Sequence, residues 1–498
     1  MKRVDVVVIG AGNAALCAAL AAQERGASVL VLERAPEAEA GGNSRFTAGL
    51  MRIAFDGIED LKRVIPDLSV DEVARTDFGS YRKDDFLDDM GRLTEYRCDP
   101  DLTEVLVKSS LDTVAWMRTK GVRFTAAWGR QAFNIAGRFK FWGGLVVEAV
   151  GGGPGLVDNL TKAAMASGIE ILYEARATRL LCTESGVTGV EFKNKGKSVQ
   201  VEAACVVLAA GGFQANPEMR ARYLGPGWEL AKVRGTRFNT GDVIQMAMDI
   251  GAAPTGNWSG CHAVAWERNA PEFGDLSIGD QFQKHSYPWG VYLNADGRRF
   301  VDEGADFRNY TYAKYGRIIL SQPMQFAWQI FDAKVRNQLR DEYKIRQVTK
   351  VTADTLEQLL ERMDDVDRAT ALKELQTYNA AVRTDIPFNP NIKDGRCTTG
   401  LTIPKSNWAN TLDTPPFEAY AVTCGITFTF GGLRITPKAE VLDTDGAPIP
   451  GLFAAGELVG GIFWFNYPGG TGLTNGAVFG KIAGAGAATA APARRALL

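Results

Sequence analysis

Val4-Asp5-Val6-Val7-Val8-Ile9-Gly10-Ala11-Gly12-Asn13-Ala14-Ala15 is the stretch on which the fold turns. Its β-branched run predicts a parallel strand buried on both faces. Gly10 permits a tight turn, Gly12 lets the backbone approach a phosphate, and the small Ala15 lets the next helix pack on the strand. That helix reads from Leu16 to Arg25 and closes at Gly26. A second strand, Ser28 to Leu32, ends at Glu33, followed by Arg34. A carboxylate there accepts ribose hydroxyls and disfavours a 2′-phosphate. Strand, glycine turn, helix, strand and acid, in that order, predict a dinucleotide site. The first N–H groups of the helix, at Asn13 and Ala14, would face the pyrophosphate.

Four more glycine-rich segments lie outside this unit. They are Gly41-Gly42-Asn43-Ser44 running to Thr47-Ala48-Gly49, Ala209-Ala210-Gly211-Gly212, Ala455-Gly456-Glu457, and Pro468-Gly469-Gly470-Thr471-Gly472-Leu473. Several such loops after strands suggest a long cofactor lying across a sheet. Helices are expected at 100–120 and 154–167, and strands at 169–183, 187–193 and 198–208. The aromatic middle third carries helical patterns around 323–345 and 354–383. Strands return at 439–443 and 451–455, and a last helix runs from about Thr474 to Ala490. The alanine-rich tail beyond it is expected to fray.

Composition narrows the function. The formal charge is −2, with no long basic stretch, which argues against nucleic acid. Two histidines, His262 and His285, nearly exclude a multi-histidine metal centre. The seven cysteines are never spaced C-x-x-C, which makes a zinc site or a protein-bound iron–sulfur cluster unexpected. The charged start is short and leads straight into a strand, unlike a signal peptide, and no run approaches the ~18 apolar residues of a membrane span. The expectation is a cytoplasmic protein, not itself transmembrane.

Taken together, the glycine segments resemble the FAD domain of the fumarate reductase/succinate dehydrogenase flavoprotein family, over nearly the whole chain. The resemblance implies an α/β fold: a Rossmann-like FAD-binding domain (1–256 and 424–498) with an inserted α+β capping domain (257–423). It assigns Gly10, Gly12, Asn13, Ala14, Ala15, Glu33, Arg34, Gly41, Gly42, Asn43, Ser44, Thr47, Ala48, Gly49, Ala177, Ala210, Gly211, Gly212, Gly456, Glu457, Thr471, Gly472 and Leu473 to the cofactor. Glu457 would hold the ribityl chain, and the last helix would point at the flavin pyrimidine. Family members that attach FAD covalently do so through a histidine in the second segment. The matching position here is Asn43, so the FAD is expected to be non-covalent.

The segment Asp296-Gly297-Arg298-Arg299-Phe300 through Asp306-Phe307-Arg308-Asn309 resembles the family stretch whose last arginine moves the substrate proton, which makes Arg308 the catalytic candidate. A guanidinium normally stays protonated and is a poor base, so a helper is expected among Tyr287, Glu303 and Asp306. His262 matches a substrate histidine, and His285 lies where the family runs its proton route. The family's second substrate histidine falls at Thr427-Phe428, and its carboxylate-clamping arginine at Tyr467. Losing a histidine and a cation moves the substrate away from fumarate. The Tyr467-Pro468-Gly469-Gly470 form, with the stretch through Tyr310, Tyr312 and Tyr315, is closest to the tricarballylate dehydrogenase branch. That branch oxidises a propane-tricarboxylate to cis-aconitate and passes electrons to a separate membrane iron–sulfur protein. His262, Thr427, Arg434, Tyr467 and Gly470 would then bind a di- or tricarboxylate. Two alternatives stay open within this fold, a fumarate- or urocanate-type ene-reductase and a 3-ketosteroid-type desaturase, whose tyrosines bind a ketone. Outside enzymes, a flavin-binding redox carrier remains the third.

Overall fold

The computed structural model describes residues 2–496 except Ala136 and Trp142. The first strand is Lys2–Ile9, and it pairs in parallel with Lys197–Leu208 on one side and Val29–Leu32 on the other. Val6, Val7 and Val8 are fully buried, as a central strand requires. The sheet extends to Glu170–Leu172 at one edge and through Gly186–Asn194 to Ala175–Thr183 at the other. Pro448–Ala454 joins it in parallel beside the carboxyl end of Lys197–Leu208. The parallel strands therefore end together at Ile9, Leu32, Leu208 and Ala454, and ligands of such sheets bind at that end.

Two helices cover this sheet. Asn13–Gln23 follows Gly12, and Thr471–Arg495 follows Gly470, which sits at φ 84° as its N-cap. The tail does not fray within the described residues. Arg494 donates to the carbonyls of Ala204 (2.7 Å) and Val187 (2.6 Å), and Arg495 pairs with Asp5. Two arginines near the C-terminal end of a helix also suit its dipole.

A second sheet is built on the long strand Phe417–Leu433, which pairs antiparallel with Pro254–Glu267 and with Phe326–Phe331. Both boundaries expected for the capping domain, 257 and 424, fall inside these strands. The helix expected around 323–345 is instead the strand Phe326–Phe331 followed by short 3-10 turns. Every residue of that strand is buried, Gln329 included, and five apolar residues out of six leave no period to separate helix from strand. Helices Leu356–Arg362 and Arg368–Ala381 cover one face of this sheet, packing Leu359, Leu360 and Leu375 against Trp328 and Ile330. Among the described residues, no helix is long and apolar enough to cross a membrane.

Candidate active site

One continuous cavity starts at the carboxyl ends of the parallel strands and runs under the second sheet. Gly10, Gly12, Asn13, Ala14, Glu33 and Arg34 line its start. Gly10 has φ +108°, and a Cβ there would overlap the carbonyl of Ala209, so the turn requires glycine. Glu33 accepts from the N–H groups of Ala11 (2.8 Å) and Ala35 (2.7 Å) and so ties the turn to the second strand. Burial raises its pKa, and the backbone bonds oppose the rise. Arg34 donates to Asp242 (3.2 Å). Neither helix that opens on the cavity carries a side-chain N-cap, and the Asn13 amide donates to the Leu473 carbonyl (2.8 Å), joining their N-termini.

The second segment forms a short 3-10 turn, Gly42–Phe46, entered through Gly41 at φ 107°. Ser44 Oγ accepts from the Asn13 N–H at 3.1 Å, so this turn and the helix start are one unit. The Asn43 amide is committed to the protein: it donates to the Thr427 carbonyl, and its oxygen accepts from Thr236 N–H at 3.0 Å. Gly42, Asn43, Ser44, Thr47, Ala48, Ala177, Ala210, Gly211, Gly456, Glu457, Gly470, Gly472 and Leu473 all line the cavity. Ala15, Gly41, Gly49, Gly212 and Thr471 do not; they lie behind the wall and let it form. At Gly212, for example, a Cβ would overlap the side chains of Thr429 and Glu457. Burial pushes the Glu457 carboxyl up to about 7, against bonds from the Thr429 and Gly212 N–H groups.

Beyond the last helix's N-terminus the wall changes character. Phe428, Phe463, Tyr467 and Tyr312 form an aromatic floor. The hydroxyls of Tyr312 and Tyr467 share a hydrogen bond. His262 sits one layer behind, stacked on Phe428 at 5.2 Å and edge-on to Tyr312 and Tyr467 at 5.0 Å. Burial drives its pKa well below 6.5, reinforced by Arg234, so its ring is neutral. A β-bulge next to His262, where Pro254–Glu267 pairs with Phe417–Leu433, sets this placement.

Arg308 lies on the wall past Tyr312. It donates to the Arg130 carbonyl (3.0 Å) and approaches His285 Nδ1 (3.4 Å). Burial lowers its pKa, and Glu342, Tyr287 and Tyr312 oppose that. The helpers expected from sequence do not face it. Tyr287 is buried off the wall, bonded to Thr311 Oγ1 at 2.6 Å, and burial raises its pKa, so it stays a phenol. Glu303 is tied to Arg299 (2.5 Å) and Asp306 to Arg92 (2.9 Å). Arg434 is also misplaced: it follows the buried Leu433 at the strand end and is exposed. The cation beside Thr427 is Arg234, whose Nη1 lies 3.3 Å from Thr427 Oγ1. Arg340, Arg130, Glu342 and Asp280 complete this end, none of them assigned from sequence.

These residues fit FAD. Two uncapped helix ends, a glycine cradle and a row of buried carboxylates run along one cavity. Buried polar atoms without a protein partner, Thr471 Oγ1 and Asn475 Oδ1, stand at the second helix end among the described residues. The model for the FAD binding domain family matches residues 5–473. The chain belongs to this family. It is 31% identical over 487 residues to a probable fumarate reductase, Ifc3, of Shewanella frigidimarina, covering 97% of this chain and 74% of that protein. It spans only about half of some other curated relatives. Among solved structures, the open conformation of a flavocytochrome c3 fumarate reductase superimposes with TM-score 0.72 at 28% identity, over 98% of this chain and 79% of that one. A 3-ketosteroid Δ1-dehydrogenase of Sterolibacterium denitrificans has TM-score 0.75, over 98% of this chain and 100% of that one. At 21% identity, that likeness speaks to fold alone. The family member described here is an FAD-dependent oxidoreductase of the fumarate reductase type, acting on carbon–carbon bonds.

Proposed function

We propose that this enzyme transfers hydride at a CH–CH bond beside a carboxylate, with tricarballylate and cis-aconitate as the first pair to test. The observation that carries the reading is the set Arg234, Arg308 and Arg340 on one wall. None of them has a carboxylate within 4.0 Å among the described residues, whereas Arg130 is paired with Asp280 (3.0 Å). Guanidinium groups left unpaired in a buried cavity need an anionic ligand.

FAD, when bound, supplies the two-electron acceptor or donor. The chain supplies the rest. Arg234 and Thr427 hold one carboxylate near the aromatic floor, with Tyr467 and the Gly470 turn beneath it. Arg52, itself fully buried, fixes that turn by donating to the Gly469 carbonyl at 2.8 Å. Neutral His262 packs the floor without adding charge. Arg308 exchanges the proton on the α-carbon. Closure between the two sheets excludes water and strengthens each of these interactions. Reoxidation falls to a separate electron acceptor, and a membrane iron–sulfur protein is the first candidate to test. The cytoplasmic assignment rests on seven cysteines that are all free among the described residues.

An anaerobic screen watching flavin absorbance tests the reading. Tricarballylate should bleach the oxidised enzyme, or cis-aconitate should reoxidise the reduced one. A neutral-ketone reading has its own support in the Tyr312–Tyr467 hydroxyl pair, which could bind a carbonyl oxygen. Bleaching by cyclic ketones and by no di- or tricarboxylate would replace the first reading with this one.

The FAD is proposed to be non-covalent, because Asn43 spends its amide on Thr427 and Thr236 and offers no nucleophile. Acid precipitation should leave a colourless pellet and a yellow supernatant. Colour retained in the pellet refutes it.

A further inference from the structure

Arg234, Arg308 and Arg340 occupy different stretches of the cavity. Arg234 lies beside Thr427, its Nη1 3.3 Å from the hydroxyl. Arg308 lies beside His285, 3.4 Å from Nδ1. Among the described residues, Arg340 shares a small side chamber with Arg308 and His285, and neither Arg234 nor the tyrosines of the aromatic floor line it. Arg340 thus stands at the end away from the floor.

Its surroundings resemble a subsite. Of its guanidinium nitrogens only Nη1 is hydrogen-bonded among the described residues, to the Gly129 carbonyl at 3.1 Å. Its Cζ lies 5.8 Å from the Phe133 ring centre. It also borders a small side chamber walled by Pro288, Trp289, Phe307 and Trp408. Glu342, two residues on, reaches the same cavity with Oε1 buried and unpartnered. Burial and the like charge of Arg308 lower the Arg340 pKa to about 9, with Glu342 opposing, so it remains cationic at neutral pH.

We propose that Arg340 forms a distal anion subsite that favours a substrate with a third carboxylate over one with two. The inference rests on the polycarboxylate reading above. A charge-assisted hydrogen bond to a half-buried guanidinium is worth about 10-fold in affinity.

The test is anaerobic titration of the reduced holoenzyme, which cannot oxidise either ligand, with tricarballylate and with glutarate, followed by flavin difference spectra, for wild type, Arg340→Gln and Arg340→Lys. Wild type should bind tricarballylate about 10-fold more tightly than glutarate. Arg340→Gln should collapse that ratio to near one with glutarate affinity unchanged, and Arg340→Lys should recover part of it. Equal weakening of both ligands would mean that Arg340 only braces Gly129 and Phe133, and an unchanged ratio would mean that it does not touch the ligand. Either result overturns the subsite alone. Wild type binding neither ligand overturns the polycarboxylate reading and the subsite with it.

Discussion

Arg308→Ala should lower kcat for desaturation by about 10³-fold while substrate still perturbs the flavin spectrum. The expectation follows from position. Arg308 lies on the cavity wall 3.4 Å from the His285 ring nitrogen, and His285 packs edge-on to Tyr312 at 4.9 Å. The other titratable groups near it are poorly suited to take a proton. His285 is held neutral by burial and by Arg308 itself, and its Nε2 has no partner among the described residues. Tyr312 is a buried phenol whose pKa is raised. Arg308, by contrast, is pushed below its ordinary value by burial, in the direction a base needs. The sign of the pH effect follows. As base it must be deprotonated, so desaturation should accelerate as pH rises toward its pKa. Reduction of the double bond uses the protonated form and should slow over the same range. Arg308→Lys, which keeps a titratable cation, should restore part of the rate. Rapid single-turnover flavin reduction separates chemistry from release. Full turnover in Arg308→Ala, or a rate that falls as pH rises, would remove Arg308 from proton transfer.

What could be read from sequence was local. Gly10, Gly12 and Glu33 lie within one strand–helix–strand unit, so spacing alone predicts that they meet. Thr427 and Tyr467 were reached by resemblance, segment by segment, and they do share a wall. Arg340 and Glu342 left no such trace. They sit after a strand that reads as helix, in a charged run indistinguishable from a solvated face, and only the pairing of Phe326–Phe331 with Phe417–Leu433 carries them toward Arg308. Arg234 and Arg434 each follow an apolar residue near a glycine, so local sequence does not separate them. The difference is tertiary: the Arg234 N–H donates to Ile426 (2.8 Å), which aligns it beside Thr427, whereas Arg434 continues one residue past the buried strand end. A like difference places Tyr312, given no role from sequence, on the cavity wall and Tyr287 off it. Tyr312 opens the helix Tyr312–Leu320 and faces the cavity, while Tyr287 packs against Tyr292 and Tyr315. Glycines also recur outside the cofactor loops, in the last helix, at Gly476, Gly480, Gly484 and Gly486.

Gly484→Val should yield protein that loses FAD and unfolds about 3 °C below wild type. Gly476, Gly480 and Gly484 recur every fourth residue and so form one stripe on the helix Thr471–Arg495. That stripe lies on Ala14 and Ala18 of the helix Asn13–Gln23. A Cβ at Gly480 would overlap the carbonyl of Ala14, and one at Gly484 the carbonyl of Ala18. The obstacles are backbone atoms, which cannot swing aside as a flexible side chain can. Gly484 has ordinary helical geometry, so the substitution brings no backbone strain. In an open helix, Gly→Ala would stabilise by about 1 kcal/mol. Overpacking costs about 1–3 kcal/mol and should win here, so even Gly484→Ala should destabilise, by less than valine does. The loss reaches the cofactor because both helices begin at its cavity, with Asn13 of one bonded to Leu473 of the other. Forcing them apart moves both N-termini away from the groups they are to stabilise. Thermal unfolding and the ratio of flavin to protein absorbance measure the two effects. A Gly484→Ala protein as stable and as yellow as wild type would show that the glycine stripe is not what holds the two helix ends together.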